Sequence, residues 1–441
     1  MTDRLYYTDS FLQEFTAQIR ELVQVDGTPA LILDRTAFYP TSGGQRCDTG
    51  MLRVTLRGSE PAELRVVQVG ENGAGDVVHI LQGSAAELEA GLPVEGRIDI
   101  ERRRDHIQQH SGQHVLSAAF ITLFDIPTVS FHMGEDVCTI DLATQRITAE
   151  QRTKAEELAN RIVWENRPVA ISFVDLERAR DMGVRKLPAL GKIAAKTSKG
   201  EPGGNAGDES EGALIQGGHQ LRLIDIGGFD LNACGGTHVA STAQIGPILI
   251  RKTEKIARGV RVEFVCGDRA LKAMQRDFQV LTEAAAVFST HLWEVPQQAR
   301  KSLDDLKAAQ KANQRLSGEL AEVWAEMIYR EAPDKDGYKV VKRVFPDRDL
   351  AFTKILAQKL AKHPRVLILL GTTAAQPSVV FARSQDLSVD VSLLMKEVLA
   401  GMHGRGGGSP DLAQGGLASA DQVNAVVDAA AEKSDGLLRR S

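Results

Sequence analysis

The chain has 441 residues, 43% hydrophobic and 25% charged, a composition typical of a soluble globular protein. The length implies about two to four domains, and no apolar run approaches the roughly 20 residues of a membrane span. The opening MTDRLYYTDSFLQEF places acids and polar residues where a secretory leader needs an apolar stretch, so a cytoplasmic location is expected. The net charge of −5 gives no overall attraction for a polyanion. The four cysteines, Cys47, Cys138, Cys234 and Cys266, are too sparse for a disulfide framework and leave a metal or structural role.

Residues 1–95 alternate short β-branched runs (ALILD, MLRVTLRG, LRVVQVG, DVVHIL) with Gly, Pro and Asp, the pattern of a small antiparallel sheet or barrel. From 96 to 267 the texture is α+β: HVLSAAFITLF reads as a helix, CTIDLA as a strand and AEQRTKAEELANRIVWENR as a long amphipathic helix. Residues 193–218 are rich in Gly, Ser, Lys and Glu without periodicity and read as a flexible insertion. Residues 268–332 read as a helical hairpin or spacer, in which Leu306, Leu320 and Met327, with Asn313 in the same series, interleave with Ala309, Leu316 and Val323 at heptad spacing over barely three heptads, too few to establish a coiled coil. Residues 333–441 read as an α/β domain: YKVVKRVF, VLILLGT and PSVVFARS as strands, FTKILAQKLAKH and VSLLMKEVLAGM as helices, then a glycine-rich turn or loop from Gly404 to Gly416. The expected whole is an α+β multidomain chain.

His106, His110 and His114 recur at four-residue intervals in DHIQQHSGQHVLSAAF, a spacing that stacks side chains on one helix face. Any neighbouring two can present imidazole nitrogens to one metal ion, and spacing does not choose between the pairs. Cys234 and His238 repeat the interval in ACGGTHV, around two glycines that favour a tight turn. Two histidines of the helix with this Cys–His pair make a chemically sound zinc set. Four protein ligands also complete a tetrahedron, the arrangement usual for structural zinc, whereas catalytic zinc keeps one position open. Arg251 to Arg261, RKTEKIARGVR, gathers five basic residues against one acid, either a phosphate-binding cluster or a solvated surface.

HSGQHVLSAAF, ACGGTHV and KIARGVRVEFVCG, in that order, resemble the editing domain of alanyl-tRNA synthetases and of their freestanding editing relatives. DRTAFYPTSGGQRCDTGML from Asp34 resembles the barrel that precedes that domain, and the region with GRGGGSPDLAQGG is similar to the synthetase C-terminal domain, shared with a phosphoesterase group. The resemblance implies His110, His114, Cys234 and His238 as ligands of one Zn2+ per chain, with His106 left over. It implies an amino-acid pocket lined by Thr36, Gly43, Gly44 and Gln45, with Gln113 and with Phe131 or His132 nearby. Bland readings stand beside these: Thr36 as a β-branched strand residue, Gly43 and Gly44 as a turn needing positive φ.

The function implied is hydrolysis in trans of the ester on mischarged tRNA(Ala), with seryl-tRNA as first substrate and glycyl-tRNA as second. A pocket sized for alanine cannot exclude glycine and rejects serine only modestly. Because the chain opens almost directly on the barrel and has no GxxxxGK[ST] loop, no aminoacylation is expected. The attacking group is expected to be a water near the zinc site, with Thr36 meeting the serine hydroxyl. Lys255, Arg258 and Arg261 are expected on tRNA phosphates. The backbone at Gly406, Gly407 and Gly408 either wraps phosphates or serves turn geometry, and tRNA binding is the reading taken. The resemblance also admits a homodimer through the spacer or the C-terminal domain. The competing readings are a non-catalytic, zinc-braced tRNA-binding protein and a zinc hydrolase acting on a small free ester.

Overall fold

The structure is a computed structural model, and it describes residues 1–56, 60–83, 88–185, 187, 214–215, 220–374, 376–402 and 404–438. Of the insertion expected at 193–218, all but Leu214–Ile215 lies outside the described residues. The chain divides into two compact units, 1–281 and 282–441. Together they make a mixed α/β protein whose N-terminal region holds a closed six-stranded barrel.

The barrel runs Glu14–Val25, Thr28–Leu33, Val77–Gln82, Ala62–Glu71, Gly50–Val54 and Pro93–Ile98 around the closed ring, antiparallel throughout. Strict alternation in stretches such as Glu14–Ile19 sends Phe15, Ala17 and Ile19 into an apolar interior with Leu31, Leu52, Val66 and Val94. Asp26 and Gly27, both at positive φ, close its first hairpin as a two-residue turn.

Helix α1 (Ile100–Phe124) follows the barrel and is buried almost all round from His106 to Phe120. Its apolar residues, among them Val115, Leu116, Ala119 and Phe120, join the core of the α+β part. Arg103, His106, His110, Gln113, His114 and Ser117 are equally buried and recur at three- and four-residue steps, giving this interior helix a polar stripe. Helix α2 (Ala149–Trp164), opened by a Thr148–Gln151 capping box, packs beside α1, and helix α3 (Leu176–Asp181) follows. A four-stranded sheet, in the order Ile248–Ile256, Gly259–Cys266, Cys138–Leu142 and Thr128–Met133, completes this layer. A second sheet pairs Val169–Asp175 with Gln220–Ile226, which returns through Gly227 and Gly228 into Leu231–Ala233. Helix α4 (Gly267–Val287) continues from the last strand of the first sheet.

Arg103 ties α1 to the barrel side. Its guanidinium bonds both Asp48 carboxylate oxygens and donates to the carbonyls of Ser10 at 2.7 Å and Ala37 at 2.5 Å, with side-chain exposures of 1% for Arg103 and 0% for Asp48. Asp48 also accepts from the Tyr39 N–H. A buried charge is tolerable only when paired and hydrogen-bonded in this manner.

In the second unit the helix-forming stretch contains the 37-residue helix α5 (Val295–Glu331), which starts at Pro296. Its C-terminal turns bury Ala321, Ala325 and Ile328 against helix α6 (Leu350–Leu360) and one face of a six-stranded sheet. Helices α7 (Val391–Ala400) and α8 (Asp421–Leu438) cover the other face. Only Tyr338–Phe345 and Val366–Thr372 pair in parallel, joined by α6; the remaining pairs are antiparallel. One correction falls on the glycine-rich segment. Instead of a simple loop, Arg405–Gly408 and Leu412–Gly416 form a hairpin, with Arg405–Gly408 as an edge strand. The glycines serve close packing: a Cβ on Gly406 or Gly415 would lie 2.6 Å from Leu399 on α7.

Candidate metal centre

Helix α1 presents His110 and His114 one turn apart, with rings stacked at 5.2 Å. Leu231–Ala233 delivers Cys234, and the turn that follows brings His238 back, its ring 4.7 Å from that of His110 and 4.8 Å from that of His114. One ligand atom from each of the four residues lies within 4.8 Å of the others. Cys234 Sγ is 3.2 Å from His110 Nε2 and 3.4 Å from His238 Nε2. The second glycine of CGGTH has a steric reason: a Cβ on Gly236 would sit 2.3 Å from His110 Cε1.

Each imidazole is held at Nδ1 by a different group. His110 Nδ1 lies 2.9 Å from Gln45 Oε1, His114 Nδ1 3.3 Å from Asp230 Oδ2, and His238 Nδ1 3.2 Å from Ser111 Oγ. An amide oxygen and an ionised carboxylate only accept, so the first two rings carry their proton on Nδ1 and turn the Nε2 lone pair inward. Asp230 is itself anchored by two bonds from Arg185. Burial pushes its carboxyl up, but Arg185 and His114 outweigh this and hold it below the usual range.

Burial also opposes a Cys234 thiolate, yet His110 and His238 hold the thiol well below its usual range. Burial pulls His238 down to about 3, with Cys234 opposing that pull. Thiolate and neutral imidazoles are the forms that bind metal, so the donor set fits a zinc ion. Arg222, fully buried, donates to the carbonyls of Cys234 at 2.7 Å and Gly236 at 2.9 Å and so fixes the turn from behind.

His106 lies one turn before His110, outside the four-residue group; burial and nearby arginines, Arg102 first, pull it down to about 3. Thr36 is fully buried: its hydroxyl accepts from the Phe38 N–H at 3.1 Å and pairs with His79 Nε2 at 2.8 Å, while His79 Nδ1 faces the Leu31 carbonyl. Gly43 and Gly44 both take positive φ in a turn closed by Ser42 and Gln45. A Cβ on Gly44 would meet the Phe131 carbonyl oxygen at 2.7 Å. Of the two alternatives on Thr128–Met133, Phe131 packs edge-on to His110 at 5.6 Å, while His132 points to solvent. Gln113 is buried and donates to Ser117 Oγ.

In the basic cluster Lys255 and Arg258 are exposed, and Arg261 forms a two-bond ion pair with Asp141. Sequence reading missed Asp230, Ser111, Thr237, Arg222 and Arg185. Ser111 and Thr237 sit inside the motifs already noted, and Asp230 precedes Cys234 by four residues in a Gly-Gly-Phe-Asp turn. Arg222 and Arg185 carry no local signal.

Comparisons with known proteins follow this geometry. The family model described as "Threonyl and Alanyl tRNA synthetase second additional domain" matches residues 221–262, which include Cys234 and His238. "tRNA synthetases class II (A)" matches 5–102, the barrel region, and the DHHA1 domain matches 337–434. The "Alanyl-tRNA editing protein AlaX-L" of Pyrococcus horikoshii is 28% identical over 98% of this chain and 98% of its own. Alanine–tRNA ligases of Pyrococcus abyssi and Archaeoglobus fulgidus are 28% and 31% identical over 97% and 94% of this chain. The chain spans 43% and 42% of those ligases' length. Among the described residues no helix is long and apolar enough to cross a membrane.

Proposed function

We propose that this chain, which resembles the long form of freestanding alanyl-tRNA editing proteins from end to end, is a trans-editing hydrolase that deacylates mischarged tRNA(Ala). The observation that carries the reading is the buried His110, His114, Cys234 and His238 cluster, with imidazole nitrogens and a thiolate converging inside a chain matched over 98% of an editing protein. Seryl-tRNA(Ala) is the first substrate and glycyl-tRNA(Ala) the second, because a pocket sized for alanine discriminates poorly against both. No aminoacylation belongs to the reading.

The reaction adds water to the aminoacyl carbonyl and breaks its bond to the ribose oxygen, which leaves as the alcohol. The four residues would hold one Zn2+, and a bound zinc ion supplies positive charge able to orient the ester end or polarise a water. Gly43 and Gly44 let the loop approach closely, while Gln113 lies on the ligand-bearing helix itself and Phe131 packs against His110. His132, exposed on the same strand, is the weaker candidate. Thr36, bonded to His79 and to the Phe38 N–H, would meet a seryl hydroxyl on its remaining lone pair, as an acceptor. Lys255 and Arg258 are free to meet phosphates; Arg261 must share with Asp141. Gly406, Gly407 and Gly408 offer edge-strand backbone to tRNA. The barrel at 1–95, the zinc-containing part at 96–267, the helical part at 268–332 and the α/β part at 333–441 divide this work, with a homodimer formed through the helical or C-terminal part.

The test is release of serine from seryl-tRNA(Ala), with bound metal quantified in the same preparation. Zinc-loaded protein should release serine, and His110→Ala and Cys234→Ala should lose release and metal together. Because four protein ligands can close a tetrahedron, the second reading is a zinc-braced tRNA-binding protein. Protection of the ester by intact, zinc-loaded protein would establish it instead.

A further inference from the structure

We infer that Gln45, from the loop between barrel strands, is a positioning residue of the metal centre: it sets the tautomer of His110 and locks the Cys234–His238 segment onto it. The inference rests on the metal-binding reading above and asks which group outside the four ligands the site cannot do without.

Gln45 has 0% exposure, and both ends of its amide are hydrogen-bonded. Oε1 accepts from His110 Nδ1 at 2.9 Å and from the Thr237 N–H at 3.1 Å, while Nε2 donates to Thr237 Oγ1 at 2.8 Å. Thr237 lies between the ligands Cys234 and His238, so one side chain bonds both ligand-bearing segments, 65 residues from one and 192 from the other. The two bonds to Thr237 also fix which end of the amide faces His110. Reversed, Nε2 would point at the Thr237 N–H, donor against donor. With Oε1 so oriented, His110 must donate from Nδ1, and its Nε2 lone pair is left toward Cys234 Sγ at 3.2 Å.

Asp230 does the same for His114, and Ser111 holds the His238 ring, but each belongs to the ligand-bearing part of the chain. Gln45 alone of the three comes from the barrel's loop. The turn that carries it is built for the task. Gly44 accepts from the Met133 N–H and has no room for a Cβ against Phe131. On the other side a Cβ on Gly236 would come within 2.9 Å of Gln45 Oε1. With Oε1 accepting twice and Nε2 donating to Thr237, the amide oxygen is committed to the metal-site segments, which gives Gln45 a role there beside any lining of the pocket.

The experiment compares wild type, Gln45→Met, Gln45→Glu and Thr237→Val in the full chain. Zn2+ affinity is read by competition with a chromophoric chelator, and the Co2+-loaded proteins are compared by their visible spectra. Gln45→Met keeps length and removes both acceptor and donor; it should weaken zinc binding about 10- to 100-fold and alter the cobalt spectrum. Gln45→Glu keeps the acceptor, and the Thr237 hydroxyl can turn from acceptor to donor, so its affinity and spectrum should return to within a few-fold of wild type. Thr237→Val should fall between them.

Wild-type affinity in Gln45→Met, or a Gln45→Glu protein as weak as Gln45→Met, overturns the inference. If Gln45→Met does not fold, Gln45→Glu and Thr237→Val decide it by the same ranking. A wild type that binds no zinc overturns the metal reading itself, a result distinct from wild-type binding that survives loss of the Gln45 acceptor.

Discussion

Helices α1 and α5 invert each other's chemistry. The first is interior yet carries a stripe of Arg103, His106, His110, Gln113, His114 and Ser117, all buried; the second is largely exposed yet carries Leu306, Leu316, Leu320, Val323 and Met327 on its surface. Burying polar groups is unfavourable unless they find partners, and exposing a row of apolar ones is unfavourable unless something covers them. In α1 Arg103, His110 and His114 find Asp48, Gln45 and Asp230, and the Cys234 thiolate converges on His110. In α5 the packed residues gather at its C-terminal end, where Ala321, Ala325 and Ile328 are buried and Trp324 and Tyr329 partly so, against α6 and the sheet. Each misplaced stripe thus points to function: a ligand inside one helix and a partner outside the other.

The largest effect should come from emptying the inside of this contrast. Structural zinc sites contribute apparent binding energies on the order of 10 kcal/mol. Stripping the metal with a chelator, or Cys234→Ala, should therefore lower the thermal midpoint of unit 1 more than any other change proposed here, with readdition of zinc restoring only wild type. An unchanged midpoint after verified metal removal would show that the polar stripe of α1 is satisfied without an ion.

Next in size is Arg103. Removing it strands the buried Asp48 carboxylate, so Arg103→Met should destabilise by about 3–5 kcal/mol in denaturant unfolding. The double change Arg103→Met with Asp48→Leu should recover part of that loss, because two apolar groups no longer leave a charge unpaired. A double variant as unstable as the single one would show that the carbonyl bonds to Ser10 and Ala37, not the ion pair, hold the junction.

The barrel offers a third, pH-dependent test. Burial pulls His79 from 6.5 down to about 4. Its folded pKa is depressed, so the native state binds the proton less readily than the unfolded chain. The stability this lends is complete above about pH 6.5 and falls as pH drops toward 4, by no more than about 3 kcal/mol. His79→Gln should flatten that part of the stability–pH curve by about one proton relative to wild type. Thr36→Val removes the hydroxyl bonded to Nε2 and should reduce stability above pH 6.5, where the neutral ring accepts it.

What the sequence discloses follows the same divide. Four-residue spacing is a local property, so His110, His114, Cys234 and His238 are readable as pairs, and alternation reveals the barrel strands. Which residues close the site is a matter of long-range contact: Gln45 reaches Thr237, Asp230 meets His114, and Arg222 braces the CGGTH carbonyls. No periodicity encodes those meetings. The glycine run misled for a related reason: local flexibility argues for a turn, but Gly406 and Gly415 are glycine because Leu399 crosses over them. Helical propensity likewise marks 268–332 as helical but not where α4 ends and Pro296 starts α5.

The smallest effect on stability should come from the outside of the comparison. Leu316 is 56% exposed and Val323 65%, so Leu316→Glu and Val323→Glu should each change unfolding free energy by no more than about 0.5 kcal/mol. Their effect should lie in association. In the homodimer proposed above, the heptad series from Leu306 through Asn313 to Met327, with Leu316 and Val323 beside it, would form the seam. Two acidic residues on that seam repel across a pair, so sedimentation should show wild type as a dimer and the double variant as a monomer with an unchanged thermal midpoint. A wild type that sediments as a monomer at all concentrations would leave the apolar stripe of α5 for a different partner. A double variant that unfolds early would instead place that stripe against its own chain, and the inversion between the two helices would disappear.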